Sequence, residues 1–227
     1  MALVLAAGCA SSRGFDRGAL RERLQAEAVE IDDAEIEAAL ALRPQVALPL
    51  RLAVYLHDVA ANTDRSGTSR RGWAGPDKDQ LLAWGEALKA DGVLADMFIM
   101  SGATVAGGDL RAIRLAAARH GADAVLVLAG AGELRRSSTA FAALNWTIIG
   151  GLVLPGTRVE ALFLVDGTVW DVRNEYLYLS AEADGSARRV GPTFLLDQEP
   201  TFESARRRAL EAFGQEFLKR ARALKRS

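Results

Sequence analysis

The sequence predicts an α/β fold: a three-layer-like mixed sheet from a β-α-β-α-β succession, followed by a β-meander and a C-terminal amphipathic helix. Three observations carry this. Gly107–Gly130 reads as helix, sharp stop and buried strand: Asp109 stands where an N-cap belongs, Ile113, Ala116, Ala117 and His120 share one face, and Gly121 can end the helix. The continuously apolar Ala124–Ala129 that follows suits a strand covered on both faces. Finally, Phe202, Ala205, Ala209, Phe213, Phe217, Ala221 and Leu224 form one long apolar stripe at helical spacing near the C-terminus.

The bulk composition narrows the functional classes. A chain of 227 residues, half of them hydrophobic, can bury a core of domain size. Its 28 basic and 29 acidic residues leave a net charge of -1, against the basic excess of a general nucleic-acid binder. One cysteine excludes an internal disulfide, and two histidines make a dedicated zinc site unexpected. No metal and no cofactor is expected.

From the N-terminus, residues 1–12 read MALVLAAGCASS, an apolar run ending in small residues, a cysteine and two serines. This resembles the lipobox of bacterial lipoproteins, with Leu5-Ala6-Ala7-Gly8 before the cut and Cys9 bearing the lipid. Leucine stands one position further from the cysteine than in that pattern, and no Lys or Arg precedes the run. Eight residues before Cys9 make a short leader, so a start upstream of Met1 is expected. The run is far shorter than the ~20 residues that cross a bilayer, so the anchor would be acyl chains. Ala10, rather than an aspartate, follows the cysteine, as in lipoproteins sorted to the outer membrane. Residues 1–9 are thus the signal remnant, 10–46 a helical tether and 47–227 a single α/β domain.

In the tether, Leu20, Leu24, Ala28 and Ile31 form a narrow stripe that reads as a solvated spacer. Asp32 and Glu35 have the spacing of a capping box for a second helix through Leu42, which Pro44 ends. Leu48–His57 is the first strand, with Pro49 at its start. Its end, His57-Asp58, is a possible acid–base pair with no nucleophile nearby in sequence. Residues 62–76 are rich in Gly, Ser and charge and read as a surface loop with one packed indole, Trp73.

A helix over 76–92 buries Leu81, Leu82, Trp84, Leu88 and Val93, and Asp96–Met100 follows as a strand. Gly130-Ala-Gly132 after the next strand offers a partial phosphate turn, but the third glycine is missing and no apolar-faced helix begins after it. The stretch 137–157 contains no charged residue. It is read as core, as an exposed apolar surface, or as a membrane span that Asn145, Gly150-Gly151 and Pro155 interrupt, and Trp146, Ile148, Ile149, Leu152 and Leu154 are its candidate partner- or lipid-facing residues. Val159–Val172 and Tyr176–Ser180 form a hairpin, with Asp166, Asp171, Glu175 and Asp184-Gly185 assigned to turns. On the terminal helix, Arg206-Arg-Arg208 and Lys219-Arg220 are placed on the solvated faces.

Taken in order, Cys9, Leu48-Pro-Leu-Arg51, Gly121-Ala-Asp123, Trp146–Gly150, Leu154-Pro-Gly156 and Trp170-Asp-Val172 resemble the rhombotarget lipoproteins over about Leu48–Leu224. These are bacterial envelope proteins of unsettled function, named for an association with a rhomboid-type protease system, and this chain shows no Gly-Gly sorting tail. The architecture looks like the N-terminal α/β domain of TolB and related envelope lipoproteins. The resemblance implies a non-enzymatic, lipid-anchored protein on the periplasmic face of the outer membrane, binding or assembling an unidentified envelope protein. It supplies no catalytic residue. The alternative is a soluble α/β enzyme or nucleotide-binding protein using the His57-Asp58 strand end or the Gly130–Gly132 turn.

Overall fold

The computed structural model describes residues 15–24, 32–57, 60–62, 73–106, 108–138, 157–192 and 196–226. Two short helices, α1 (Arg17–Leu24) and α2 (Asp33–Ala41), precede the strands β1 (Leu50–Leu56) and β2 (Ala60–Asn62). Then come α3 (Gly75–Ala90), β3 (Leu94–Ile99), α4 (Leu110–Arg119), β4 (Ala124–Ser138), β5 (Thr157–Asp171), β6 (Leu177–Gly191) and α5 (Glu199–Ala223). The sheet runs β3-β1-β4-β5-β6, with β2 beside β4. β1 pairs parallel with β3 and β4, while β5 and β6 continue antiparallel as the meander. The predicted mixed α/β architecture is therefore the one observed.

The layers follow from strand alternation. Ala124, Leu126 and Leu128 of β4 point with Phe163 and Val165 of β5 into a core shared with α3 and α5. Val125 points to the other side, where Ile113, Ala116 and Ala117 of α4 cover it. Asp109 caps α4 by accepting from Ala112 N–H at 2.9 Å. Gly121 (φ 70°) and Gly92 (φ 67°) end α4 and α3 in the left-handed region, where a Cβ is penalised. His120 is the C-cap and is exposed, unlike Ile113, Ala116 and Ala117, whose face it shares by spacing. Its Nδ1 lies 2.8 Å from Ala116 O.

The principal core is largely aliphatic and contains an aromatic cluster. Trp84 of α3 lies 5.8 Å from the Phe213 ring and 6.1 Å from that of Phe217. Leu81, Trp84 and Leu88 are buried, whereas Leu82, one residue off that face, is 42% exposed and corrects the predicted set. The C-terminal stripe behaves as expected, Phe202, Phe213 and Phe217 being fully enclosed at roughly 1.5–3 kcal/mol each.

The segment read as a solvated spacer divides into two parts. α2 carries the expected capping box between Asp32 and Glu35 and buries none of its residues. α1 instead docks on the α4 side of the sheet: Leu20 is 1% exposed against Ala131, Leu162 and Leu164. Arg17 and Arg21 pair with Asp184 and Glu182 of β6, holding α1 across the meander.

Candidate functional site

Cys9 and the five apolar candidates Trp146, Ile148, Ile149, Leu152 and Leu154 lie outside the described residues, as does Asp58. His57 is exposed, and its backbone does the fastening. Its N–H donates to Leu128 O (2.9 Å), and its carbonyl accepts from Trp73 Nε1 (2.7 Å). Trp73 thus is a packed indole, meeting Phe163 edge-on at 6.5 Å.

Gly130 and Gly132 do not form a turn. Both lie within β4, paired opposite Val165 and Phe163. A Cβ on Gly132 would stand 2.5 Å from the Phe202 ring, and one on Gly130 would stand 2.9 Å from Phe163. The glycines make room for the Phe163–Phe202 edge-to-face pair, whose centroids are 5.6 Å apart. Their amides belong to the sheet rather than to a phosphate cradle. Asp184-Gly185 is likewise inside β6, not in a turn: a Cβ on Gly185 would lie 2.3 Å from Ala205 O and Ala209 N of α5.

The acidic residues assigned to the hairpin turn separate by role. Asp171 is fully buried and organises the β5–β6 connection. Its Oδ1 accepts from Arg173 N–H (2.8 Å), and its Oδ2 from Tyr178 OH (2.8 Å) and Gln45 N–H (3.1 Å). Burial and this carboxylate push the Tyr178 phenol well above its ordinary value. Asp171 therefore ties the chain entering β1 to the meander. Glu175 pairs with Arg114 of α4. Asp166 is no turn residue but lies inside β5, between Ala129 and Glu182, where burial and then Glu182 raise its pKa.

Charge gathers at one end of the sheet, where Ser138 and Thr157 form the last β4–β5 pair. Arg135 and Arg136 stand near the end of β4, Arg158 near the start of β5, and Arg188 and Arg189 near the end of β6. Arg135 pairs with Glu133 (2.6 Å) and Arg188 reaches Glu160 (3.8 Å). The Phe15 ring, at the start of α1, lies 5.1 Å from the Arg135 guanidinium carbon. Sequence reading passed over this cluster because the five arginines are spread over three segments. Only the register brings them together.

Elsewhere, an open apolar groove between the start of β6 and the end of α5 is lined by Leu177, Leu179, Ala223 and Leu224. Its one arginine, Arg220, already donates to Ser180 O (2.6 Å). Among the described residues no three His, Cys, Asp or Glu side chains gather as a metal site, and no helix is long and apolar enough to cross a membrane.

No family model matches the chain, and no curated protein matches it. Several solved structures do. The LpoB C-terminal domain from Salmonella enterica is 11% identical, covering 62% of this chain and 84% of its own, with a TM-score of 0.34. A putative neuraminyllactose-binding hemagglutinin homolog from Helicobacter pylori is 12% identical over 81% of this chain and 88% of its own, at 0.37. Lipoprotein GNA1162 from Neisseria meningitidis is 14% identical over 75% and 96%, at 0.31. Likeness at this level transfers no residue, ligand or partner to this chain.

Proposed function

We propose that this chain is a lipid-anchored, non-enzymatic envelope protein, a relative of the rhombotarget lipoproteins, with acyl chains on Cys9 and a folded domain over residues 47–227 on which α1 docks. It would sit on the periplasmic face of a bacterial outer membrane and bind or help assemble another envelope protein. The observation that carries this is the Leu5–Ser12 sequence, in which an apolar run and small residues lead into Cys9 and two serines. The uncharged residues 137–157, with Trp146, Ile148, Ile149, Leu152 and Leu154, are the proposed surface for a partner or lipid. The Gly130–Gly132 arm of the alternative reading loses its geometry, since both glycines lie inside a paired strand.

The test is radiolabelled palmitate incorporation in cells producing the chain or its Cys9→Ser variant, followed by crosslinking in envelope fractions. Label on the wild type alone, with a crosslinked envelope protein, is expected. Equal labelling of the two would remove the lipoprotein reading.

A further inference from the structure

We infer that α2 of one copy of this chain docks in the apolar groove between β6 and α5 of a second copy, and the second copy's α2 in the first one's groove, closing a symmetric dimer. The inference goes beyond the envelope-protein reading and does not depend on acylation of Cys9. It starts from a helix without a surface. α2 has nine residues, none of them buried. Isolated helices shorter than ~12–15 residues are marginal in water, and most helices in proteins draw their stability from packing an apolar face. α2 has such a face: Ile36 and Leu40, one turn apart, are 49% and 73% exposed. Both ends of the helix are nonetheless fastened. Asp32 N–H donates to Glu35 Oε2 at 3.4 Å, and Arg43 Nη1 donates to the carbonyls of Leu40 (2.9 Å) and Leu42 (2.8 Å).

The groove matches that face in polarity and in charge. Leu177, Leu179, Ala223 and Leu224 line it, with Leu177 42% exposed. Leu179 and Leu224 also border the narrow apolar crevice beneath, beside Leu50, Val93 and Phe217. Along the rim, the chain from Glu216 to Lys225 carries Lys219, Arg220, Arg222 and Lys225. The carboxylates set against them are Glu216, shared by Lys219 and Arg220, and Asp91, paired with Arg222. Lys225 donates to the Asp91 backbone carbonyl (2.8 Å). Four cations thus stand against two carboxylates, a surplus of two. Beyond them Lys89 pairs with Glu86, Arg51 with Asp96, Arg173 with Asp123 and Arg114 with Glu175, and these charges cancel. Residues 32–43 hold the opposite balance, with Asp32, Asp33, Glu35 and Glu37 against Arg43. Glu35 and Glu37 flank the Ile36–Leu40 face on either side.

Position completes the match. Asp171 Oδ2 accepts both from Gln45 N–H, just past α2, and from Tyr178 OH in the groove wall. Asn174 Nδ2 donates to Arg43 O at 2.7 Å, and with the chain so held α2 leaves its own copy's groove open. A two-fold axis beside this junction puts each α2 against the other copy's groove, and a reciprocal contact closes instead of growing into a filament.

The test is sedimentation equilibrium of the full-length Cys9→Ser chain, which neither a lipid nor a disulfide can join to another copy. Contacts of this size are weak, so dimer should appear towards the upper end of a series from ~1 μM to ~1 mM and recede near ~1 M salt. Leu40→Gln should raise the dissociation constant by roughly 100-fold, about ten-fold for each of the two contacts that lose a leucine. Ala223→Glu, in the groove, should weaken the dimer comparably. Either variant alone lacks both contacts. A mixture of the two keeps one, between the intact α2 of the Ala223→Glu chain and the intact groove of the Leu40→Gln chain. Heterodimer in that mixture, followed by a fluorophore on one chain and tighter than either homodimer, is the decisive expectation. Leu115→Gln on α4, at a leucine 52% exposed, should change nothing. A monomer throughout, no heterodimer, or an equal loss from Leu115→Gln would overturn the proposal. So would variants that lower the melting temperature without changing the mass, which would put α2 in its own groove, or a monomer that binds phosphatidylcholine vesicles through Ile36 and Leu40. Palmitate labelling decides the anchor on separate samples, so failure of one reading is distinguishable from failure of the other.

Discussion

Arg206 Nε of α5 lies 3.3 Å from Asp77 Oδ2 at the start of α3, with both side chains 8% exposed. The sequence places Arg206 on a solvated face, and the structure buries it. The same Asp77 Oδ2 accepts from Ala74 N–H at 2.8 Å, so one carboxylate starts α3 and neutralises α5. Arg206→Met would leave that carboxylate enclosed and unpaired and should cost about 3–5 kcal/mol. Adding Asp77→Asn, which keeps an oxygen for the cap, should recover part of the loss. Denaturant unfolding of the four species checks this. Strictly additive losses would show that the pair does not couple the two helices.

Gly185 sets how closely α5 approaches β6. With Ala205 O and Ala209 N 2.3 Å from its Cβ position, Gly185→Ala pushes a helix backbone off the sheet. A loss of about 3 kcal/mol or more is expected. Gly108→Ala, where nothing lies within 4 Å, should stay within about 0.5 kcal/mol. Thermal unfolding of both variants compares them directly, and equal effects would contradict the packing.

β6 is an edge strand of 15 residues, a length that invites pairing with another chain. Two arginines of α5 occupy its backbone carbonyls: Arg208 donates to Ser186 O and Arg220 to Ser180 O, both at 2.6 Å. The double variant Arg208→Ala, Arg220→Ala should self-associate at concentrations where the wild type does not, read by light scattering. An unchanged mass would show that these contacts do not guard the edge.

Asp166 gives a pH signature. Burial and the facing Glu182 raise its folded pKa above the 3.8 of an ordinary aspartate, so the folded state holds this proton more tightly than the unfolded chain. Its contribution to stability therefore falls as pH rises from 3.8 through the raised value. Asp166→Asn, uncharged throughout, should have a melting temperature that gains on the wild type across that window and keeps its lead above it. A difference independent of pH would contradict the assignment.

Local chemistry was legible from the residues. Asp109, Gly121, Gly92 and the Asp32–Glu35 box act within one turn of the chain, and the terminal stripe needed only helical periodicity. Glycine beside small or acidic residues misleads a local reading. Gly130-Ala-Gly132 and Asp184-Gly185 look like turns locally, yet serve distant aromatic rings and a distant helix. Leu20 likewise reads as part of a weak stripe until Ala131, Leu162 and Leu164 supply the surface that covers it.

The sequence by itself determined the succession of strands and helices, the helix ends, the buried strand at Ala124–Ala129 and the cysteine-centred motif that motivates a lipid anchor. Tertiary structure decided what depends on partners remote along the chain: the burial of Arg206, the docking of α1 and the gathering of five arginines at one sheet end. The reason is one of range. Periodicity and capping report the nearest few residues, whereas charge pairing and close approach are set by strand register and by which helix faces which side of the sheet.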